Sequence, residues 1–263
     1  MPERAHARIV GRLLPALAIG VLSLAVLVAT PARAFSNAAL IEGFVDTVFG
    51  AEVGGDTVAD TSTLVKKFTH PVRYHLVSSS TVDRRSSVRR FMGQLSDAVQ
   101  NLSLTETLYE SDADVVIFLM DRADYASTIR ATVWKGVNTR FLEENACSAV
   151  IAARRTGIER AFIYLVADEG FVSFSHCMVE EVAQSLGPAN DSSLLPDSIF
   201  NDNSTLNVFG VFDWFILNML YDARIRPGMG EADVRPLLPA IIADVRRRLP
   251  QALGQESGAL VHR

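Results

Sequence analysis

The stretch Glu180–Ser192, EEVAQSLGPANDS, ends a longer run from Phe171 whose apolar residues recur at helical spacing. At about 100° per residue, Met178, Val182 and Leu186 fall on one flank of Phe174, and Cys177 falls on the other. Glu181 lands inside that apolar arc, while His176, Glu180 and Gln184 share the adjoining polar arc. The spacing predicts a largely buried helix over 171–186, with Gly187 where the chain turns. A carboxylate facing a core is costly unless it is paired, metal-bound or protonated. Glu181 is therefore the first candidate site residue. Two roles stay open for it: catalytic base, or a structural group held by nearby backbone or by an arginine such as Arg73.

The rest of the chain builds outward from this helix. Residues 38–49 have helical spacing, with Ser36 and Asn37 as capping candidates, and 54–62 read as a polar linker. Residues 67–77 alternate as a strand, and 83–102 form a charged amphipathic helix. Val115 to Met120 is short and wholly apolar, the pattern of a strand covered on both faces. A helix over 124–133 and two strands over 147–154 and 159–166, turning at Thr156-Gly157, precede the motif helix. Residues 213–221 predict a buried helix, Pro227-Gly228-Met229 a break, and 231–249 a final amphipathic helix. This order predicts one α+β domain, a mixed sheet with packed helices that include the buried motif helix. The expected divisions are 35–62 for a first helix and linker, 63–250 for the domain and 251–263 for a tail.

Residues 1–34 carry Arg4, Arg8 and Arg12, then an apolar run from Leu13 to Ala29, then Ala32-Arg33-Ala34. That is the anatomy of a secretory leader with an A-x-A cleavage site, so export to the periplasm or beyond is expected. Without the leader the net charge falls to about −8. The short clusters Arg84-Arg85, Arg89-Arg90 and Arg246-Arg247-Arg248 read as solvated helix faces, so no nucleic-acid partner is expected. No second apolar run would hold the cleaved chain in a membrane. Cys147 and Cys177 both lie in the mature part, and export favours a disulfide between them.

The pattern H-E-x-x-H-x-x-G-x-x-H/D of the metzincin zinc proteases fits the spacing of Glu180–Ser192. Glu181 takes the place of the catalytic glutamate, Gly187 that of the turn and Asn190-Asp191 that of the third ligand. Both helical histidines are absent, with Glu180 and Gln184 in their positions. Gln184 offers only a neutral amide oxygen, and an oxygen-rich set suits calcium or magnesium better than zinc. Glu180, Gln184 and His176 are the candidate ligands if a divalent metal is bound, though no cofactor is expected. There is no G-x-S-x-G elbow, no Walker loop and no C-x-x-C.

Taken together, Cys177-x-x-Glu180-Glu181-x-x-Gln184-Ser185-Leu186-Gly187, Asn190-Asp191-Ser192, Asp197 to Asp202, Leu220-Tyr221-Asp222 and Arg226-Pro227-Gly228-Met229 are similar to the Domain of Unknown Function 2927 family. The likeness is close from Phe174 to Met229 and looser upstream. It implies an exported protein with a single zincin-like domain and a cysteine preceding the glutamate pair. It supplies no substrate. Two classes of function follow: a non-catalytic envelope module that binds a partner such as peptide or peptidoglycan, or a metal-dependent hydrolase of peptidase type with Glu181 as general base.

Overall fold

The protein is seen in a computed structural model that describes residues 36–50, 61–132, 137–193, 195, 197–201 and 204–253. The leader, most of the polar linker and residues 254–263 lie outside the described residues. Five strands form one sheet in the order β2-β1-β3-β5-β4. These are β1 (Val72–Ser78), β2 (Leu104–Glu106), β3 (Val115–Met120), β4 (Cys147–Arg154) and β5 (Gly157–Val166). β2, β1, β3 and β5 run parallel, and β4 returns antiparallel on β5, so the sheet is mixed.

The apolar run of β3 has the cause expected of it. Val115, Ile117 and Leu119 join the larger core on one face, and Val116, Phe118 and Met120 join the smaller core on the other. β5 divides in the same way, with Ala161, Ile163 and Leu165 opposed to Tyr164 and Val166. Period-two alternation thus serves two apolar layers at once. The smaller layer takes α3 (Arg122–Thr132) and α4 (Thr139–Glu144). The larger takes α1 (Asn37–Val48), α2 (Arg85–Ala98), α5 (Phe171–Ser185), α6 (Val211–Leu220) and α8 (Leu238–Leu253).

Several elements differ from their sequence reading. The final helix expected over 231–249 is three pieces: α7 (Glu231–Val234), a 3₁₀ turn (Arg235–Leu237) and α8, which runs past Leu249. Pro236 and Pro239 lack the N–H that a continuous helix needs, so the first turns cannot merge into one rod. The strand expected from Lys67 begins only at Val72. Residues 64–67 instead form an extended strap: Val65 N–H donates to Met229 O at 2.9 Å, and Gly228 N–H donates to Val65 O at 3.0 Å. β2 and α4 were not anticipated, being three and six residues long.

The strap lies under two turns that only glycine can make. Gly187 ends α5 at φ +135°, and a Cβ there would sit 2.2 Å from Lys66 O. Gly157 opens β5 at φ +130°, and its Cβ would sit 2.6 Å from Lys67 O. Both contacts are backbone, which cannot swing aside. Lys66 and Lys67 are only 3% and 7% exposed. The Lys66 ammonium donates to the carbonyls of Gly50, Thr61 and Ser62, and that of Lys67 to Leu220 and Asp222. Burial lowers both amines to about 8.

Cys147 at the start of β4 and Cys177 in α5 form a disulfide across a sequence separation of 30, with Cα atoms 5.6 Å apart. It fixes α5 against the edge of the sheet. In the chain-entropy account a loop of that length is worth about 3–4 kcal/mol. Cys147→Ala should lower unfolding free energy in denaturant by about that amount. Reduced wild type should match the variant, and a reductant-insensitive wild-type transition would show that the bridge contributes nothing.

Candidate functional site

α5 carries the candidate residues and is buried along most of its length. Its polar arc does not open freely to water, because the chain after Gly187 folds back across it. His176 Nδ1 donates to Leu206 O at 2.5 Å, and its Nε2 lies 3.2 Å from Glu180 Oε2. That second contact becomes an ion pair when the ring is protonated. One turn on, Gln184 Nε2 donates to Asp191 Oδ1 at 3.1 Å. The covering chain is also tied to the end of α1. Asn190 Nδ2 donates to Asp46 O at 2.9 Å, Asn190 N–H to Thr47 O, and Ser192 Oγ to Asp46 Oδ2 at 2.8 Å.

The structure therefore brings His176 and Glu180 together but sends Gln184 to a different partner. Asn190, in the third-ligand position, donates its amide to backbone oxygens. Among the described residues no group of three or more His, Cys, Asp or Glu is placed to hold a metal ion. The donor set does not fit zinc: one imidazole already engaged at both nitrogens, one carboxylate beside it, and an amide turned to Asp191.

Glu181, in the apolar arc, is 8% exposed, whereas Glu180 is only partly covered. It lies within electrostatic reach of Tyr125 on α3. Burial first, opposed by the hydrogen bond to Ser148 and reinforced by the Glu181 charge, holds the Tyr125 hydroxyl above its usual range. Arg73, named above as a possible partner, is exposed on β1, and its N–H is taken by Asp114 Oδ2 at 2.7 Å. Met229 is tied to Val65 of the strap. It reaches α5 through the strap, whose Lys66 carbonyl lies against Gly187.

Asp213, in the first turn of α6, is a buried carboxylate that no motif marked. Its signal was present as the one acid in VFDWFILNML. It is fully buried and accepts from Ser198 Oγ at 2.5 Å, Gly210 N–H at 2.7 Å and Ile199 N–H at 3.3 Å. It thereby joins the middle of the covering segment, at Ser198 and Ile199, to its end at Gly210. Desolvation raises its carboxyl to about 7, against those three hydrogen bonds, which lower it.

A family model described as "Protein of unknown function (DUF2927)" matches residues 37–240. No curated protein matches the chain.

Two outcomes follow from this geometry. Because the folded pKa of Asp213 lies above its unfolded value, the folded state holds the proton longer. The associated stability is full below about pH 4 and is lost as pH rises towards 7, by up to roughly 4 kcal/mol. Asp213→Asn should flatten the stability profile between those pH values, and a variant that keeps the wild-type slope would place the titration elsewhere. At Glu181, removal of a buried acceptor should cost about 1–3 kcal/mol in Glu181→Ala and less in Glu181→Gln, measured by denaturant unfolding. Equal stability for all three proteins would deny the side chain any structural part.

Proposed function

Because the chain belongs to the DUF2927 family, whose function is unknown, we propose that it is an exported cell-envelope module that binds a partner and does not cleave it. In this reading the frame is zincin-like, and the positions that hold a metal in metzincins serve to fasten the chain that crosses α5. The Gln184–Asp191 hydrogen bond carries the reading. It joins the second-histidine position to Asp191 of the Asn190-Asp191 pair, so the helix face that would hold a metal is tied to the returning chain. The His176–Leu206 contact supports it, since it engages the one imidazole on the polar arc. A leader ending in Ala32-Arg33-Ala34 would direct export, with cleavage before Phe35. A disulfide-bonded chain accords with an oxidising compartment. Peptide or peptidoglycan is the partner class such a module would meet there.

One observation favours the alternative hydrolase reading. Glu181 is a carboxylate kept from water beside a polar helix face, the kind of group that serves as a general base. The readings separate on purified protein dialysed against zinc, calcium or magnesium. The binding module should retain no stoichiometric metal and should release no product from peptide or peptidoglycan substrates. It should co-sediment with peptidoglycan equally well as wild type and as Glu181→Gln. One bound metal per chain, with hydrolysis that Glu181→Gln removes, would replace this proposal by the hydrolase.

A further inference from the structure

Away from the polar face of α5, the Arg226-Pro227-Gly228-Met229 turn borders an open cavity of about 450 Å3, lined by Ala223, Arg224, Arg226, Met229, Asp233 and Leu237. Sites for small ligands run from about 300 to 1,000 Å3, so the space suits a compact molecule. Its charged groups differ in how far they are committed. Arg224 is engaged through Nε and Nη2: Asp222 accepts from each at 2.8 Å, and Asp244 accepts from Nη2 at 2.6 Å. Arg226 is engaged only through its backbone, where the N–H meets Met229 Sδ at 3.2 Å and the carbonyl accepts from Met229 N–H at 3.3 Å. Among the described residues its guanidinium has no carboxylate partner. Asp233 gives one oxygen to Gly230 N–H at 3.1 Å, and its Oδ1 takes no donor from the described residues. Met229 and Leu237 pack against the larger core and supply an apolar floor.

These charges decide the ligand class. Arg224 and Arg247 pair with Asp222 and Asp244, so the wall behind carries no net charge, and Arg226 and Asp233 offset each other. A simple anion would meet Arg226 but leave Asp233 without a partner. An uncharged apolar molecule would leave both charged groups without partners. A molecule with one charge of each sign and an apolar body satisfies all three features. We propose that this cavity binds a small zwitterion of the α-amino-acid class, its carboxylate on Arg226, its ammonium on Asp233 and its side chain over Met229 and Leu237. The turn is held in place for this by the strap, since Val65 pairs with Gly228 and Met229. The site is separate from α5 and does not rest on the reading of Glu181 or its neighbours.

Calorimetric titration of the purified protein with L-leucine, leucinamide and N-acetyl-leucine tests the assignment. Leucine should bind saturably at one site. The amide, which lacks the carboxylate, and the acetyl derivative, which lacks the ammonium, should each bind at least about tenfold more weakly. Arg226→Gln should lose leucine binding while its thermal midpoint stays at the wild-type value, because the side chain is exposed. Asp233→Asn, which retains an acceptor for Gly230, should weaken leucine and leave N-acetyl-leucine unchanged. No heat with leucine up to about 10 mM, equal binding of leucine and its acetyl derivative, or wild-type binding by Arg226→Gln would each overturn the proposal.

Discussion

Three pieces of chain far apart in sequence meet on the carbonyls and amides of Val65, Lys66 and Lys67. The end of α5 closes over Lys66 O at Gly187, the start of β5 closes over Lys67 O at Gly157, and the turn before α7 pairs with Val65. Neither glycine approach leaves room for a Cβ or for a shift of the opposing backbone. The orientation of α5 against the sheet thus depends on a strap that is neither helix nor regular strand. The disulfide to β4 fixes the same helix at Cys177, near its middle, so α5 is held at two points. Side chains along its middle can then be assigned to faces without ambiguity.

That rigidity gives Gly187 and the turn at Arg226–Met229 a structural reason. Gly187 and the Arg226-Pro227-Gly228-Met229 turn lie on opposite sides of the strap, and the strap's backbone touches both. The acids and amides after Gly187 have a comparable task. Asn190, Asp191 and Ser192 tie the covering chain to α5 and to the end of α1, and Asp213 ties its later part to α6. A spacing that matches a metal-binding pattern is thus also the spacing that this helix, its turn and the returning chain need.

The strong periodicities were legible before the structure was seen. β3 declared itself as doubly covered because both its faces are apolar, and the position of Glu181 followed from counting around a helix. The cysteine pair was legible because compartment and location argued together. What escaped had no local pattern to find. β2 is three residues that pair only because Val72, Arg73 and Tyr74 lie beside them. The strap takes its form from distant partners, and no local pattern separates its last residue, Lys67, from the strand expected over 67–77. Asp213 was visible as an acid in an apolar run, but nothing in sequence says that Ser198 and Gly210 come to meet it. The cavity at residues 223–237 is made by a break, and a break in sequence indicates a turn without indicating what gathers around it.

Lys66 and Lys67 have a consequence for how the chain would be degraded. They are adjacent cleavage positions for a protease that recognises lysine, yet both ammonium groups are spent on main-chain carbonyls and both residues are buried. A protease must draw an extended segment into its own cleft, which here means first separating the strap from β5, from α5 and from the Pro227 turn. A cut between or after these lysines therefore reports opening of the whole domain and not fraying at its surface. Exposed arginines such as Arg90 and Arg140 report the opposite. The order in which the two kinds of fragment accumulate distinguishes loss of the fold from local motion within a single digestion.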